Sequence, residues 1–111
     1  MRPLIGNVSS GLGTIDFLTG PNPQLSRYQT LLTYNTSKAA LNAITLVYAA
    51  ALRADGIRVN ALSPGFVATD LNQHTGRDSA EQGGSRIAAQ VLIDDDQTGV
   101  FRCETGGVYP W

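Results

Sequence analysis

From Tyr34 to Asp55 the chain contains neither glycine nor proline, and from Ala39 to Leu52 it is dominated by Ala, Leu and Ile. No other stretch limits the possible folds as strongly. A run of that length and composition is a helix. Asp55-Gly56 ends it, with Gly56 just past the last turn, where a left-handed residue closes a helix without a Cβ penalty. Ile57 to Leu62 then alternate as a strand does, with Ile57, Val59 and Ala61 on one face and Arg58, Asn60 and Leu62 on the other. Helix, short turn and strand make the second half of a β-α-β unit. Leu4 to Ser10 offers the first strand through Leu4, Ile5 and Val8, so the spacing predicts a parallel pair joined by a right-handed crossover. Apolar side chains surround most of the Tyr34–Ala54 helix, which predicts cover on more than one side.

The remaining segments are less regular. Gly11 to Thr33 reads as a loop punctuated by Gly11, Gly13, Gly20, Pro21 and Pro23, with room for a helical turn in Gln24–Leu32. Ser63-Pro64-Gly65 breaks the second strand sharply, and Phe66 to Arg77 is irregular and polar. Asp78 to Leu92 is predicted as a second helix, capped either by Asp78 with Glu81 or by Ser79 with Gln82, and weakened early by Gly83-Gly84. Asp94-Asp95-Asp96 leads into a turn at Thr98-Gly99, Val100–Cys103 is a last strand, and Gly106-Gly107 precedes the closing Val108-Tyr109-Pro110-Trp111.

With 111 residues the chain is one domain or part of one. The net charge of −1, without any block of like charge, argues against nucleic acid and membrane surfaces as partners. The single cysteine, Cys103, has no internal disulfide partner, which fits a reducing cytosol and a cytoplasmic location. The apolar stretch near the N-terminus is short and broken by Gly6 and Asn7, unlike a signal peptide. No run reaches transmembrane length.

Tyr34 and Lys38 carry the chemistry. Four residues apart on a helix, they share a face with Cβ atoms about 5–6 Å apart. A free phenol titrates at roughly 10, and a fixed cation beside a phenol favours its ionised form. A tyrosine so placed can exchange a proton with a substrate oxygen near neutral pH. Lys38 is the only lysine in the chain. The plain alternative is a helix start with a solvated lysine. Taken alone, Ser9-Ser10 could be strand-end turn chemistry and Pro64-Gly65 a strand terminator. Gly11-Leu12-Gly13 imitates the opening of a dinucleotide fingerprint, but Asp16 stands where the third glycine belongs and no helix is predicted after it. Neither serine sits in Gly-x-Ser-x-Gly. His74, the only histidine, reads as a solvated loop residue, Asp94–Asp96 as a solvated helix end, and Cys103 as a buried strand residue.

Taken in order, Asn7-Val8-Ser9-Ser10-Gly11 on a strand end, Tyr34-x-x-x-Lys38 on a helix, Val59-Asn60, and Pro64-Gly65-Phe66-Val67-Ala68-Thr69 after the next strand resemble the C-terminal half of the short-chain dehydrogenase/reductase family. The Gly-Gly-Val-Tyr-Pro-Trp ending is similar to one bacterial branch of it. The resemblance implies an α/β fold, the C-terminal part of a Rossmann-like doubly wound parallel sheet, with residues 1–111 forming a partial NAD(P)-binding domain. It implies that Ser10 holds the substrate oxygen and that Tyr34 is the general acid/base. Lys38 would lower the pKa of that tyrosine and bond the nicotinamide ribose. Pro64, Gly65, Val67 and Thr69 would wrap the nicotinamide end, with Val67 offering its backbone and Thr69 its hydroxyl. It implies NAD or NADP, slightly favouring NADP, a small carbonyl or alcohol substrate, and a homo-oligomer in the intact protein.

Three features of the family pattern are not found in the sequence: the glycine-rich strand-turn-helix for the pyrophosphate, the residue that selects NAD or NADP, and the Asn-Ala-Gly segment. The gap from Ser10 to Tyr34 is longer than in short family members. The expectation is therefore a truncated catalytic half, inactive by itself. The alternatives are a non-catalytic remnant that self-associates through the Tyr34–Ala54 helix and an unrelated small α/β binding domain.

Overall fold

A computed structural model describes residues 2–66 and 75–111. Four strands form one sheet in the order β1 (Leu4–Val8), β2 (Arg58–Leu62), β3 (Phe101–Arg102) and β4 (Val108–Tyr109). The first three are parallel, and β4 runs antiparallel to β3. Val8 lies opposite Leu62, and Leu62 opposite Arg102, so the three parallel strands end along a common edge. Among the described residues β1 pairs only with β2 and is an edge strand.

The expected helix is α2 (Leu32–Leu52), following a five-residue α1 (Ile15–Thr19) and preceding α3 (Ala80–Val91). A short 3-10 turn extends α2 to Gly56, which adopts φ 71° as its position demands. The crossover from β1 through α2 to β2 gives the predicted parallel pair. All five residues of β2 are buried, because a central parallel strand is covered on both faces. Phe101 is fully buried between Tyr109 and Trp111, with ring centroids 5.1 and 5.6 Å away. The Trp111 carbonyl in turn accepts the Ile15 N–H at 2.6 Å, tying the end of the chain to α1.

Several expectations are corrected. A helix does open after Gly11-Leu12-Gly13. Thr14 caps it by accepting the Phe17 N–H, and the bond to Trp111 supplies a long-range anchor that local sequence does not reveal. The cover on α2 is one-sided. Asn35, Asn42, Thr45 and Ala49 form its buried stripe, whereas Ile44, Val47 and Tyr48 are 47, 65 and 53% exposed. The helix packs on β2 and on the Gly11–Gly13 turn, and its buried stripe adds two polar bonds at the end of β1. There Asn7 donates to Thr45 Oγ1 at 3.0 Å, and Ser9, just past the strand, donates through Oγ to Asn42 Oδ1 at 2.6 Å. Cys103 lies just beyond β3 and is only half-buried, its Sγ 3.0 Å from Thr105 Oγ1. Of the two capping boxes, Ser79 with Gln82 forms, with reciprocal bonds of 3.1 and 2.7 Å. Gly83 and Gly84 stay helical behind it.

The aspartate run is not simply a solvated helix end. Asp95 accepts from Arg102 Nη2 at 2.6 and 2.8 Å and lies 3.9 Å from Arg58 Nη1, and both arginine side chains are buried. Burial pushes the Asp95 carboxyl up, but the Arg102 hydrogen bond, the Gln97 N–H and the two guanidinium charges outweigh it and leave it below its ordinary 3.8. The folded chain therefore binds that proton less tightly than the unfolded chain. The resulting stability is present at neutral pH and is lost as pH falls below 3.8 toward the folded value. Urea midpoints at neutral and strongly acid pH should show this loss, and Asp95→Asn should make it smaller. An equal acid loss in both proteins would remove Asp95 as its source.

Candidate active site

β1 delivers the chain to the carboxyl edge of the sheet. Ser9 is buried against Asn42, and Ser10 follows, half-buried, as the cap of the Gly11–Gly13 turn. Ser10 Oγ accepts the Leu12 N–H at 3.1 Å, which leaves its own proton free to donate. The turn packs directly on α2. A Cβ added at Gly13 would stand 2.7 Å from the Lys38 carbonyl carbon and the Ala39 nitrogen, both of them backbone. Gly13→Ala is thus expected to lever the turn off the helix at the lysine and to cost about 1–3 kcal/mol in urea unfolding, as overpacking does. A loss within experimental error would show the contact to be loose.

Tyr34 lies in the first turn of α2 and Lys38 one turn later. The ammonium of Lys38 stands 5.9 Å from the Tyr34 ring centroid and donates to the Val8 carbonyl at 3.2 Å. That bond crosses from the helix to the end of β1, two residues before Ser10. Lys38, one turn after Tyr34, is thereby tied to the strand end that leads into Ser10. This edge, where parallel strands end, is the place where open α/β sheets bind ligands.

Pro64 and Gly65 lie at the same edge, beyond β2. Gly65 adopts φ 84° and donates its N–H to Ser63 Oγ at 3.2 Å. Ser63 Oγ in turn donates to Glu104 Oε2 at 3.4 Å, which also accepts from the Tyr109 hydroxyl at 2.5 Å. Burial, and then the Glu104 carboxylate, push the Tyr109 hydroxyl far above its ordinary range, so it is a fixed donor. From the α3 side, Arg86 Nη1 donates to the Pro64 carbonyl at 3.2 Å and to Asp78 Oδ2 at 2.7 Å. Val67, Thr69 and His74 lie outside the described residues.

The donor set suits a nicotinamide nucleotide. A hydroxyl, a phenol and an ammonium can donate to ribose and substrate oxygens, and a left-handed glycine beside them lets backbone come close. Among the described residues no group of three or more His, Cys, Asp or Glu could hold a metal ion, and no helix is long and apolar enough to cross a membrane. The sequence reading missed Arg86 and the Ser9–Asn42 and Asn7–Thr45 pairs. Asn35, Asn42, Thr45 and Ala49 do recur at helical spacing, and that recurrence of small and polar residues was the available signal.

The parallel sheet, crossover helix and strand-end site define an α/β domain of the Rossmann-like class. Residues 22–98 match the family model described as enoyl-(acyl carrier protein) reductase. A short-chain dehydrogenase of Penicillium roqueforti is 34% identical over 106 residues, covering 85% of this chain and 42% of that protein. The NADPH-bound carbonyl reductase from chicken fatty liver superposes with a TM-score of 0.81 at 31% identity, over 97% of this chain and 42% of that one. The carbonyl reductase Sniffer of D. melanogaster gives a TM-score of 0.80 at 26% identity, over 100% and 44%. The chain belongs to the short-chain dehydrogenase/reductase family, and it spans less than half the length of these relatives.

Proposed function

We propose that residues 1–111 are the proton-transfer part of an NAD(P)-dependent oxidoreductase that reduces a small carbonyl compound or oxidises the matching alcohol. The observation that carries this reading is the Lys38 bond to Val8, which ties the Tyr34 helix to the strand end beside Ser10. Ser10 donates a hydrogen bond from its hydroxyl to the substrate oxygen and orients it, keeping its proton. Tyr34 gives that oxygen a proton in reduction and takes it back in oxidation. Lys38 holds positive charge at the phenol and donates to the nicotinamide ribose. Pro64 and Gly65 serve the nicotinamide end, as the family resemblance also implies for Val67 and Thr69. The nicotinamide cofactor, when bound, supplies or accepts the hydride, and the protein contributes orientation and the proton. The NADPH held by the chicken relative supports NAD(P) use, and the slight leaning to NADP rests on the family resemblance alone. The reading carries with it a cytoplasmic location and a homo-oligomeric intact protein.

The chain alone is inactive in this proposal. The one glycine-containing strand-turn-helix among the described residues, β1 with Gly11-Leu12-Gly13 and α1, has Asp16 in place of the third glycine and a helix of only five residues, too short for a pyrophosphate seat. The test is a hybrid in which this segment follows the N-terminal half of the chicken carbonyl reductase. It should consume NADPH with a panel of aldehydes and ketones, while the 111-residue chain should not. A folded hybrid that binds NADPH and reduces nothing in the panel would contradict the assignment.

A second reading, self-association through α2, draws on the exposure of Ile44, Val47 and Tyr48 and on the open edge of β1. Size exclusion with light scattering should then show oligomers of the chain that Val47→Glu disperses. A sharp monomer peak for the unaltered chain would end this reading.

A further inference from the structure

Arg86 has no part in the chemistry outlined above, yet it touches the segment assigned to the cofactor. It lies two turns into α3, whose start is fixed by the Ser79–Gln82 capping box. From there Nη1 reaches the Pro64 carbonyl at 3.2 Å and the Asp78 carboxylate at 2.7 Å. The Asp78 N–H donates to the Phe66 carbonyl at 2.9 Å. Two carbonyls of the Pro64–Phe66 backbone are thus held from the side of α3, one by a guanidinium and one by an amide of the residue that anchors that guanidinium. Gly65 completes the arrangement. A Cβ there would meet Arg86 Nη1 at 2.7 Å, and Asp78 Oδ2 and Glu104 Cβ at 3.4 and 3.5 Å, so the guanidinium fills the space that any larger residue would need.

The Asp78 and Arg86 side chains are only 12 and 28% exposed, so solvent competes little for their bond. The hydrogen bond to Arg86 holds the Asp78 carboxyl below its ordinary range, which keeps it ionised as the anchor. Both bonds leave Nη1, whose two hydrogens are fixed in the guanidinium plane, whereas a lysine ammonium rotates freely about its last bond.

We propose that Arg86, anchored by Asp78, is a positioning residue that fixes the Pro64-Gly65 backbone against the nicotinamide end of the cofactor. The proposal rests on the cofactor reading of that segment given above. It predicts that loss of the guanidinium frees a short stretch of backbone while the sheet and α3 stay intact. It also predicts that affinity for the nicotinamide half of the cofactor falls, although Arg86 need not touch that group.

The test uses the whole chain with dihydronicotinamide mononucleotide, a fluorescent probe that carries the nicotinamide half alone. Amide hydrogen exchange is followed residue by residue in the unaltered chain, Arg86→Met and Arg86→Lys. In Arg86→Met the Gly65 and Asp78 amides should exchange faster while those of β2 and α3 keep their rates. Probe affinity should drop at least tenfold, and Arg86→Lys should recover part of both. Unchanged exchange at Gly65 and Asp78 would overturn the proposal. So would faster exchange throughout the chain, which would make Arg86 a residue of general stability. If the unaltered chain leaves the probe's fluorescence unchanged, the cofactor reading of Pro64-Gly65 fails, and the exchange pattern alone decides whether Arg86 fixes the segment.

Discussion

Tyr34→Phe in the hybrid enzyme is expected to lower kcat by about 10²–10⁴ and to leave NADPH affinity nearly unchanged. Phenylalanine keeps the ring, its place in the first turn of α2 and its 5.9 Å relation to the Lys38 ammonium. Only the hydroxyl, with its exchangeable proton, is lost. The Lys38 bond to Val8 does not involve the phenol, so the junction of helix and strand end should survive. The split between kcat and binding separates a lost proton donor from a disturbed site. Steady-state kinetics with a nucleotide titration will show it, and an active Tyr34→Phe hybrid would remove Tyr34 from the mechanism.

Asp95→Ala, away from the site, is expected to be strongly destabilising. Arg58 and Arg102 are 2 and 6% exposed, and Asp95 is the carboxylate that faces both. Truncating one member of a buried ion pair leaves the other charge uncompensated in low dielectric. The expected loss is about 3 kcal/mol, the low end of the range for such breaks, because Asp95 itself is a third exposed. Arg58 keeps its bond to the Arg2 carbonyl at 3.2 Å, which limits the damage further. Urea unfolding followed through Trp111 fluorescence measures the change, and a loss under about 0.5 kcal/mol would place Asp95 among ordinary surface positions.

The legible part of this fold is the part with a local cause. A glycine-free and proline-free run, a left-handed Gly56 and an alternating strand each leave a mark within a few residues, and α2 with β2 follows from them. Tyr34 and Lys38 were legible for the same reason, because helical spacing alone puts them on one face. Asp95 was misread because its partners are brought to it by β2 and β3, and nothing near it in sequence signals two buried arginines. The one-sided cover of α2 was misread because apolar side chains surround most of the helix and suggested cover on more than one side. Its covered side packs on β2 and is partly polar, with Asn42 and Thr45 meeting Ser9 and Asn7 at the end of β1. The bond from α1 to Trp111 spans almost the whole chain and has no local signature. In the candidate site, the shared helix face of Tyr34 and Lys38 was legible but the connections of its residues were not. The Lys38 bond to Val8 and the Arg86 bonds to Pro64 and Asp78 exist only once the elements have packed.

The central claim is that Tyr34 and Lys38 act as one proton-transfer unit, and a double-mutant cycle tests it most directly. kcat of the hybrid is measured at saturating NADPH for Tyr34→Phe, Lys38→Met and the pair together. Residues that act as a unit are strongly non-additive, so the double variant should lose about as much as Tyr34→Phe alone. If the two losses multiply, the residues act independently, and the claim is contradicted.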